Sequence, residues 1–451
     1  MMVLLVPKSL RFQILIASVI SVCGLFLLGA PVFAQTKLNI RGAGRLYPIA
    51  LPRLCMEDGT AIDKNASVAQ EIPSVMTRDL MLSGYFDVLN PNSYIETAGK
   101  CTTPDEFAYS DWTVLGAEGL VRGLITRSGS KDLQVQMYLY DVQRRMVVLG
   151  KQYEGRTDQL REIAHRFSNE VMKFFTGEDG VFGTQIAYSA KVGRFKELYI
   201  VDMDGSNPRQ LTNDRGLAVS VAWHPSGGRL VYTTYRNRVP NIFSMDLGNR
   251  GEKQLTDTSF LEVGPTFLPG GGALFFSQTR GRESHIVRAN EDGSNMKDLT
   301  PANGAIDVSP SLAPDGRQMA FVSNRSGGPQ IFVMDIASGA TKRVSFVNSS
   351  YCTSPAWSPM NDKLAYVCRA DRGFQIFVSG IDGSSPFQLT SSGDNEDPSW
   401  SPDGRMLVFA TTFGRGPRYN LAIMGADGSN AQQITFGRFG DTDPAWGPRL
   451  S

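Results

Sequence analysis

Short stretches of alternating apolar and polar residues recur along the second half of the chain, separated by turn residues. In one such unit, Pro398–Pro402 predicts a first strand and Met406–Thr411 a second, with Asp403-Gly404 as the turn between them. Asn420–Met424 and Gln432–Thr435 predict the third and fourth strands. Asp-Gly suits the turn because tight hairpins need residues that tolerate a positive φ. The pattern predicts a small antiparallel sheet of four strands.

The unit recurs with a regular period. In each repeat a Trp, Phe or Leu stands two residues before a proline, and these prolines are Pro225, Pro269, Pro314, Pro359, Pro402 and Pro448. Successive prolines lie 44, 45, 45, 43 and 46 residues apart. A period of this length with four strands per unit is typical of a β-propeller, a ring of blades around a central channel.

The prolines also indicate which strand lines the channel. In five repeats a second proline precedes the large residue; these are Pro265, Pro310, Pro355, Pro398 and Pro444, and the remaining repeat has Val221 there. Proline cannot donate to a strand ladder, so it belongs on the edge strand that faces the channel. We expect the large residues to pack between neighbouring blades, with a ligand-stacking ladder as the alternative; they are Trp223, Phe267, Leu312, Trp357, Trp400 and Trp446.

The two ends of the repeat region predict how the ring closes. The first unit, from Ile186 to Thr212, has no inner strand before it, and the last inner strand, Asp443–Pro448, has no unit after it. The C-terminal strand should therefore complete the first blade. The predicted fold is an α/β N-terminal domain followed by a six-bladed β-propeller closed by the C-terminal strand, with the propeller at residues 185–451.

Residues 35–180 lack this period and predict the α/β domain. The strands are expected at Leu120–Thr126, Leu133–Tyr140 and Met146–Tyr153. A helix capped by Thr157 or Asp158 should run to about Phe175. A second helix is expected within Ser67–Leu82, with an uncertain start because of Pro73.

Residues 1–34 have the features of a secretory signal peptide. Lys8 and Arg11 precede an apolar stretch, Ile14–Leu28, and a small residue, Ala34, stands directly before Gln35. The stretch is short for a spanning helix, which needs ~20 apolar residues, although a retained membrane anchor is the alternative. We expect an exported chain whose mature part begins at Gln35 and has no transmembrane span.

Export makes disulfides reasonable for the mature cysteines. Pairing Trp357 with Lys363 across the predicted hairpin places Cys352 opposite Cys368, so these two residues can form a cross-strand disulfide or pack as small apolar residues. Cys55 and Cys101 form the second candidate pair.

Composition argues against several classes of partner and chemistry. The chain has 45 Lys and Arg against 44 Asp and Glu, so no basic excess favours nucleic acid. Its three histidines, His165, His224 and His285, are scattered, and it contains no Gly-x-Ser-x-Gly nucleophile motif. Neither a cofactor nor a catalytic residue is expected; the alternative is an exported hydrolase or lactonase-like enzyme with a channel metal.

Two further segments have competing interpretations. Asp202–Asn207 resembles part of a calcium loop but lacks the downstream Glu, and turn chemistry explains it equally well. Apolar and polar side chains alternate in the first mature residues, and Gly42-Ala43-Gly44 follows them. This pattern predicts either an edge strand or a detachable docking segment.

The chain resembles the TolB family of the periplasmic Tol–Pal system in three features. These are the domain order, the repeats that end in Pro444–Pro448, and the helix end at Arg78–Leu80 followed by Ser83–Phe86. The resemblance covers the whole mature chain. It implies a non-enzymatic periplasmic scaffold that supports outer-membrane invagination at cell division and envelope integrity.

The resemblance also implies partners and surfaces. The lipoprotein Pal would bind at one mouth of the propeller, on loops entering the inner strands: Leu261, Glu262, Gly264, Val308, Ser309, Thr353 and Ser354. Leu261 departs from the polar character expected there. TolA would bind the mature N-terminus: Gln35, Thr36, Lys37, Leu38, Asn39, Ile40, Arg41 and Gly42. Outer-membrane proteins and bacteriocins are further partners that the resemblance suggests.

Overall fold

The computed structural model of the protein describes residues 45–57, 66–94, 104–105, 107–129, 132–301, 304–437 and 440–449. The signal peptide, the N-terminal docking segment and Cys101 lie outside the described residues. The described residues belong to one compact unit.

The N-terminal domain is a mixed sheet with helices on its faces. Its elements are β1 (Tyr47–Ala50), β2 (Cys55–Met56), α1 (Ala66–Ser83), β3 (Phe86–Val88), α2 (Tyr109–Val114), β4 (Gly119–Arg127), β5 (Asp132–Asp141), β6 (Met146–Arg156) and α3 (Leu160–Thr176). The strand order is β3-β1-β4-β5-β6, with β2 paired to β4. Strands β1 to β4 pair in parallel, and β4, β5 and β6 pair antiparallel.

The alternation along β5 separates two layers. Val135, Met137 and Leu139 are buried in one cluster with the apolar stripes of α1 and α3, while Tyr140 belongs to a second cluster with Trp112 of α2. Helix α3 begins later than predicted, because Thr157–Gln159 form a 3-10 turn and the helix follows it. The predicted side-chain cap at Thr157 or Asp158 is therefore wrong. The helix ends at Gly177, whose φ of 80° provides the left-handed C-cap.

Five blades of the propeller and most of a sixth follow in chain order. Blade 1 begins with β7 (Gln185–Val192), β8 (Phe195–Asp202) and β9 (Arg209–Gln210). Blade 2 comprises β10 (Ala218–Trp223), β11 (Arg229–Thr234), β12 (Asn241–Asp246) and β13 (Glu252–Gln254). Blade 3 comprises β14 (Leu261–Phe267), β15 (Leu274–Arg280), β16 (Glu283–Ala289) and β17 (Lys297–Asp298).

The remaining blades repeat the same antiparallel order. Blade 4 comprises β18 (Asp307–Leu312), β19 (Gln318–Ser323), β20 (Gln330–Asp335) and β21 (Thr341–Arg343). Blade 5 comprises β22 (Cys352–Trp357), β23 (Lys363–Ala370), β24 (Gly373–Gly380) and β25 (Phe387–Gln388). Blade 6 comprises β26 (Asn395–Trp400), β27 (Met406–Thr411), β28 (Asn420–Gly425) and β29 (Gln432–Gln433).

The last strand, β30 (Asp441–Trp446), is the inner strand of blade 1. Its sheet has the order β30-β7-β8-β9, with Trp446 opposite Ile186. The prediction of six blades closed by the C-terminal strand is thus confirmed.

The large inner-strand residues pack between blades. Trp357 lies in a cluster with Ala320 of blade 4, and Trp400 lies in one with Val367 of blade 5. The indole Nε1 of Trp400 donates to the Ala356 carbonyl at 3.0 Å. Buried apolar surface therefore joins blade 5 to both of its neighbours, and an indole-to-carbonyl hydrogen bond adds to the seam with blade 6.

The predicted hairpin register is wrong by one residue at its closed end. Trp357 pairs with Leu364, not with Lys363, because a bulge lies between Thr353 and Ala356. Beyond this bulge the register changes by one, and Cys352 stands opposite Cys368. The two cysteines form a disulfide with a Cα–Cα distance of 4.1 Å. Cys55 is also disulfide-bonded.

The N-terminal domain contacts the ends of blades 1 and 6. The Arg78 guanidinium of α1 donates to the Gln433 carbonyl at 3.1 Å, and the Asn430 amide donates to the Met81 carbonyl at 2.8 Å. Arg405 of blade 6 pairs with Glu178 at 2.6 Å. Tyr47 and Ile434 belong to one buried cluster that spans both domains. One face of the propeller is therefore partly covered.

Candidate docking face

Every inner strand of the propeller begins at the face opposite the N-terminal domain. Because each blade is an antiparallel meander, the turn between its second and third strands lies at the same face. Main-chain hydrogen bonds join this turn to the start of the inner strand. Tyr235 N–H donates to the Leu217 carbonyl at 3.0 Å, and Arg369 N–H donates to the Tyr351 carbonyl at 3.0 Å. We call this surface the entry face.

Every inner strand carries a β-bulge with one residue of positive φ. These residues are Ser220, Gly264, Ser309, Ser354, Asp397 and Asp443. The bulge inserts an extra residue into the ladder and bends the strand, a feature frequently found next to functional sites. The Ser354 hydroxyl of blade 5 donates to Asp397 Oδ1 of blade 6 at 2.9 Å. Bulge residues of consecutive blades thus meet around the channel.

Two of the predicted rim residues, Leu261 and Glu262, differ completely in accessibility. Leu261 is 47% exposed, whereas Glu262 is fully buried. The Glu262 carboxylate accepts hydrogen bonds from the Thr258 hydroxyl at 2.8 Å and the Gln278 amide at 2.7 Å. Side chains alternate along a strand, so the residue after an exposed Leu261 points inward. The placement of Glu262 on a contact surface is therefore corrected to a buried position beneath it.

The other predicted rim residues lie deeper along the inner strands. Gly264, Ser309 and Ser354 are the half-buried bulge residues of three consecutive blades. Val308 and Thr353 precede two of them and are also half-buried. The structure brings these five residues together along the channel wall.

An apolar ring on the entry face was not predicted. Leu217, Leu261, Ile306 and Tyr351 occupy the same position in blades 2 to 5, and each side chain is between 40% and 47% exposed. Asp394 and Gly440 hold this position in blades 6 and 1, so the apolar ring is open on that side. Each of these residues stands four positions before the first proline of its inner strand, or before Val221 where that proline is missing. An alignment of the repeats at this position would have revealed the ring. Leu261, which disagreed with the expected polar rim, is one member of it.

Arginine side chains surround the apolar ring. The exposed cations of the entry-face turns and loops that form no ion pair with any described residue are Lys191, Arg194, Arg215, Arg238, Arg282, Arg369, Arg372, Arg415 and Arg418. The chain as a whole carries nearly equal numbers of basic and acidic residues. The entry face is therefore basic at its periphery although the protein is not.

Carboxylates collect at the channel wall on the blade 6 side. Desolvation, together with the nearby Asp443 charge, raises the pKa of Asp397 to about 7. Desolvation likewise raises the pKa of Glu396, which accepts a hydrogen bond from the Tyr419 hydroxyl at 2.9 Å. Lys196 Nζ lies 3.5 Å from Asp443 Oδ2 and supplies a positive charge to this group.

A separate buried cluster lies between the two domains. Asp79 of α1, His165 of α3 and Asp204 of the β8–β9 turn offer ligand atoms within 4.8 Å of one another. His165 Nδ1 lies 2.9 Å from Asp79 Oδ2, and the Arg161 guanidinium donates to Asp204 Oδ2 at 2.6 Å. Because a guanidinium already neutralises Asp204, we interpret the cluster as an ion-pair network.

The motifs considered for metal or acid–base chemistry lie apart. In the calcium-like loop, Asp204 Oδ1 accepts a hydrogen bond from the Ser206 N–H at 2.9 Å, and Asp202 accepts one from the Asn207 amide at 2.7 Å. These carboxylate oxygens therefore stabilise the turn. His165 is in α3, whereas His224 contacts Ser226 in a blade 2 turn and His285 is in β16 of blade 3. Within the described part of the chain, no helix combines the length and hydropathy needed to span a bilayer.

Family profiles match both halves of the chain. A profile described as the TolB amino-terminal domain matches residues 38–148, and one described as the TolB beta propeller domain matches residues 172–450. A crystal structure of TolB from Acinetobacter baumannii is similar over 90% of this chain and 97% of that one, with 25% identity and a TM-score of 0.77.

Curated relatives named Tol-Pal system protein TolB align over part of the chain. The protein from Syntrophotalea carbinolica is 34% identical over 199 residues, 44% of this chain and 45% of its own length. The one from Bordetella pertussis is 31% identical over 218 residues, 48% of this chain and 47% of its own. The chain thus spans about half the length of the curated relatives it matches.

Proposed function

The chain belongs to the TolB family, and from this premise we propose that it is an exported, non-enzymatic scaffold of the Tol–Pal system in the periplasm. Its propeller would bind the lipoprotein Pal, and its mature N-terminus, Gln35 to Gly42, would bind TolA. Joining these partners would support outer-membrane invagination at division.

The observation that carries this proposal is the entry face. The opposite face is partly occupied by the N-terminal domain, whereas the entry face exposes an apolar ring with arginines around it. Apolar residues at the centre of a patch with a polar rim are the usual anatomy of a protein-binding surface. Arginine is also enriched in such interfaces. This arrangement favours Pal docking over the apolar ring.

The Pal assignment predicts the effect of charge in the ring. Replacing Leu261 and Ile306 together by Asp should weaken binding of the periplasmic domain of Pal at least tenfold, because buried carboxylates in the interface lose hydration without gaining partners. Titration calorimetry with the mature protein measures this change.

The matched control is Phe387→Asp on the outer strand of blade 5. Phe387 is 61% exposed, so its replacement also removes an exposed apolar side chain, but away from the entry face. Pal affinity should stay unchanged in this variant. Equal loss in both variants, or wild-type affinity in the double variant, would contradict docking over the ring.

The TolA assignment predicts the effect of a deletion. Removing Gln35 to Gly42 from the mature protein should abolish binding to the periplasmic part of TolA, because these residues would form the docking segment. Pal affinity and the melting temperature of the propeller should not change, since the segment precedes β1. A pull-down with purified TolA tests this expectation; retained TolA binding would exclude the assignment.

A further inference from the structure

The turns at the two faces of the propeller differ in charge. The six turns between second and third strands, on the entry face, contain eight basic residues and one acidic residue. The six turns between third and fourth strands, on the opposite face, contain one basic residue and five acidic residues. The chain as a whole has a formal net charge of only +1. The propeller therefore has a basic pole at the entry face and an acidic pole at the face that contacts the N-terminal domain.

Most of the entry-face cations in these turns have no partner among the described residues. Arg236 and Arg325 pair with carboxylates. The other six are exposed and form no ion pair with any described residue: Arg194, Arg238, Arg282, Arg372, Arg415 and Arg418. The exposed carboxylates that the described turns and loops of this face offer are Asp257 and Asp371. The positive charge of the face is therefore available to another molecule.

Apolar side chains are exposed on the same face. The apolar ring lies there, and Tyr235 and Phe260 add two aromatic side chains that are 37% and 39% exposed. The Arg280 guanidinium carbon lies 5.4 Å from the Phe260 ring centre, so a cation and an exposed ring are presented together. Amphipathic surfaces that lie in the headgroup layer of a bilayer combine Lys or Arg with exposed aromatic and aliphatic residues in the same way.

An extended anionic surface fits this arrangement better than one acidic patch of a protein. The six unpaired arginines stand on five of the six blades, so they are distributed around the mouth of the channel. Anionic headgroups present negative charge continuously, and each Lys or Arg close to them adds to the attraction. The same surface repels the acidic pole, so the separation of charge also sets the orientation of the protein.

We propose that the entry face binds a bilayer that contains anionic phospholipid. The six arginines contact the headgroup phosphates, whose oxygens match the planar donors of a guanidinium, and the apolar ring lies at the level of the headgroups. The bilayer covers the ring that Pal is proposed to occupy, so contact with lipid and contact with Pal exclude each other. Lipid binding itself does not depend on Pal.

Vesicle flotation tests the lipid chemistry. The mature protein should bind vesicles of phosphatidylcholine and phosphatidylglycerol, mixed two to one, at least tenfold more tightly than vesicles of phosphatidylcholine alone. Binding should fall at least tenfold when the salt is raised to about 1 M, because the Debye length then shortens to ~3 Å. Equal binding to neutral and anionic vesicles would overturn the proposal. Binding to polyglutamate but not to anionic vesicles would also overturn it, and would assign the face to an acidic polypeptide.

Two triple variants locate the contact. The first removes three cations of the entry face and should bind anionic vesicles at least tenfold more weakly: Arg282→Gln, Arg372→Gln and Arg418→Gln. The matched control removes the same charge from exposed positions on the outer strands of blades 1 to 3: Arg209→Gln, Lys253→Gln and Lys297→Gln. Its binding should stay within twofold of the wild type. Equal losses in the two variants, or wild-type binding in the first, would contradict contact through the entry face.

A dye on blade 4 reports the orientation. Ser326 is exposed in the entry-face turn, and Ala337 is exposed in the turn on the opposite face. A polarity-sensitive dye at Ser326→Cys should shift its emission to the blue on anionic vesicles, whereas the same dye at Ala337→Cys should not. Equal shifts, or a shift at Ala337→Cys alone, would refute the orientation. These assays contain no Pal and the Pal titrations contain no lipid, so either proposal can fail while the other stands.

Discussion

His165 is buried between two carboxylates at the junction of the domains. Burial by itself lowers its pKa, but the hydrogen bond and the charge of Asp79 outweigh burial, and the net pKa is raised. Desolvation raises the pKa of Asp79, and the hydrogen bond with His165 opposes this shift. Asp204 and Arg161 complete the set of charged groups that face the ring. A protonated His165 therefore stabilises the junction.

This network predicts a pH-dependent stability. Because the folded pKa of His165 lies above the unfolded value of about 6.5, its contribution is complete below that pH and is lost as the pH rises through the folded pKa. His165→Gln should cost roughly 1.5–3 kcal/mol at low pH, as expected for a charged hydrogen bond. The cost should shrink toward high pH, measured by urea unfolding between pH 5 and 9.

His224→Gln is the control for this experiment. His224 lies in a turn of blade 2, where it contacts Ser226 and Glu291 and is away from the domain junction. A cost for His165→Gln that grows with pH would contradict a stabilising protonated histidine.

The stability of a blade depends on contacts with the neighbouring blade as well as on the hydrogen bonds between its own strands. Gly293, in the last turn of blade 3, has a φ of 87°, and a Cβ there would collide with the Leu255 carbonyl of blade 2. The turn therefore fits closely against the preceding blade. A side chain is excluded at this position both by backbone conformation and by packing.

Gly293→Ala should consequently destabilise the propeller more than an ordinary left-handed glycine does. The conformation alone costs roughly 1–2 kcal/mol, and the collision adds to it. Gly281→Ala is the matched control, because Gly281 has a φ of 68° but no atom within 4 Å of the added Cβ. Urea unfolding gives both losses; equal values would show that the close approach between blades has no energetic weight.

Strand limits could be predicted well where the side chains alternate and poorly where the backbone is irregular. The second strand of blade 6 has the predicted limits, Met406–Thr411, because its apolar residues are buried against both neighbouring blades. The inner strand was expected at Pro398–Pro402 but lies at Asn395–Trp400. Its bulge at Asp397 shifts the register, and a bulge leaves no periodic signal in the residues.

At the scale of the whole molecule, the propeller has two unlike faces. One contacts the N-terminal domain through Arg78, Asn430 and Arg405. The other carries the apolar ring and the surrounding arginines. The proposed function needs one accessible face for a partner, and the face with the apolar ring lies opposite the one that the N-terminal domain covers.

The sequence by itself determined the ring. The period of the prolines fixed six blades, and the unmatched units at both ends fixed the closure through Asp441–Trp446, because each unit must find a partner strand. The family resemblance followed from these repeats together with the domain order and the helix end at Arg78–Leu80. These features are local or periodic, so they can be read along the chain.

Only the tertiary structure decided which side chains are accessible and what they meet. Glu262 and Leu261 are neighbours in sequence, yet one is buried and the other exposed, since the pleat turns them to opposite sides. Asp441 of the last strand lines one cavity together with Tyr188 and Tyr199, which come from the first blade in the sequence. Such sites arise when the ring closes, and residues far apart in the chain then share one environment.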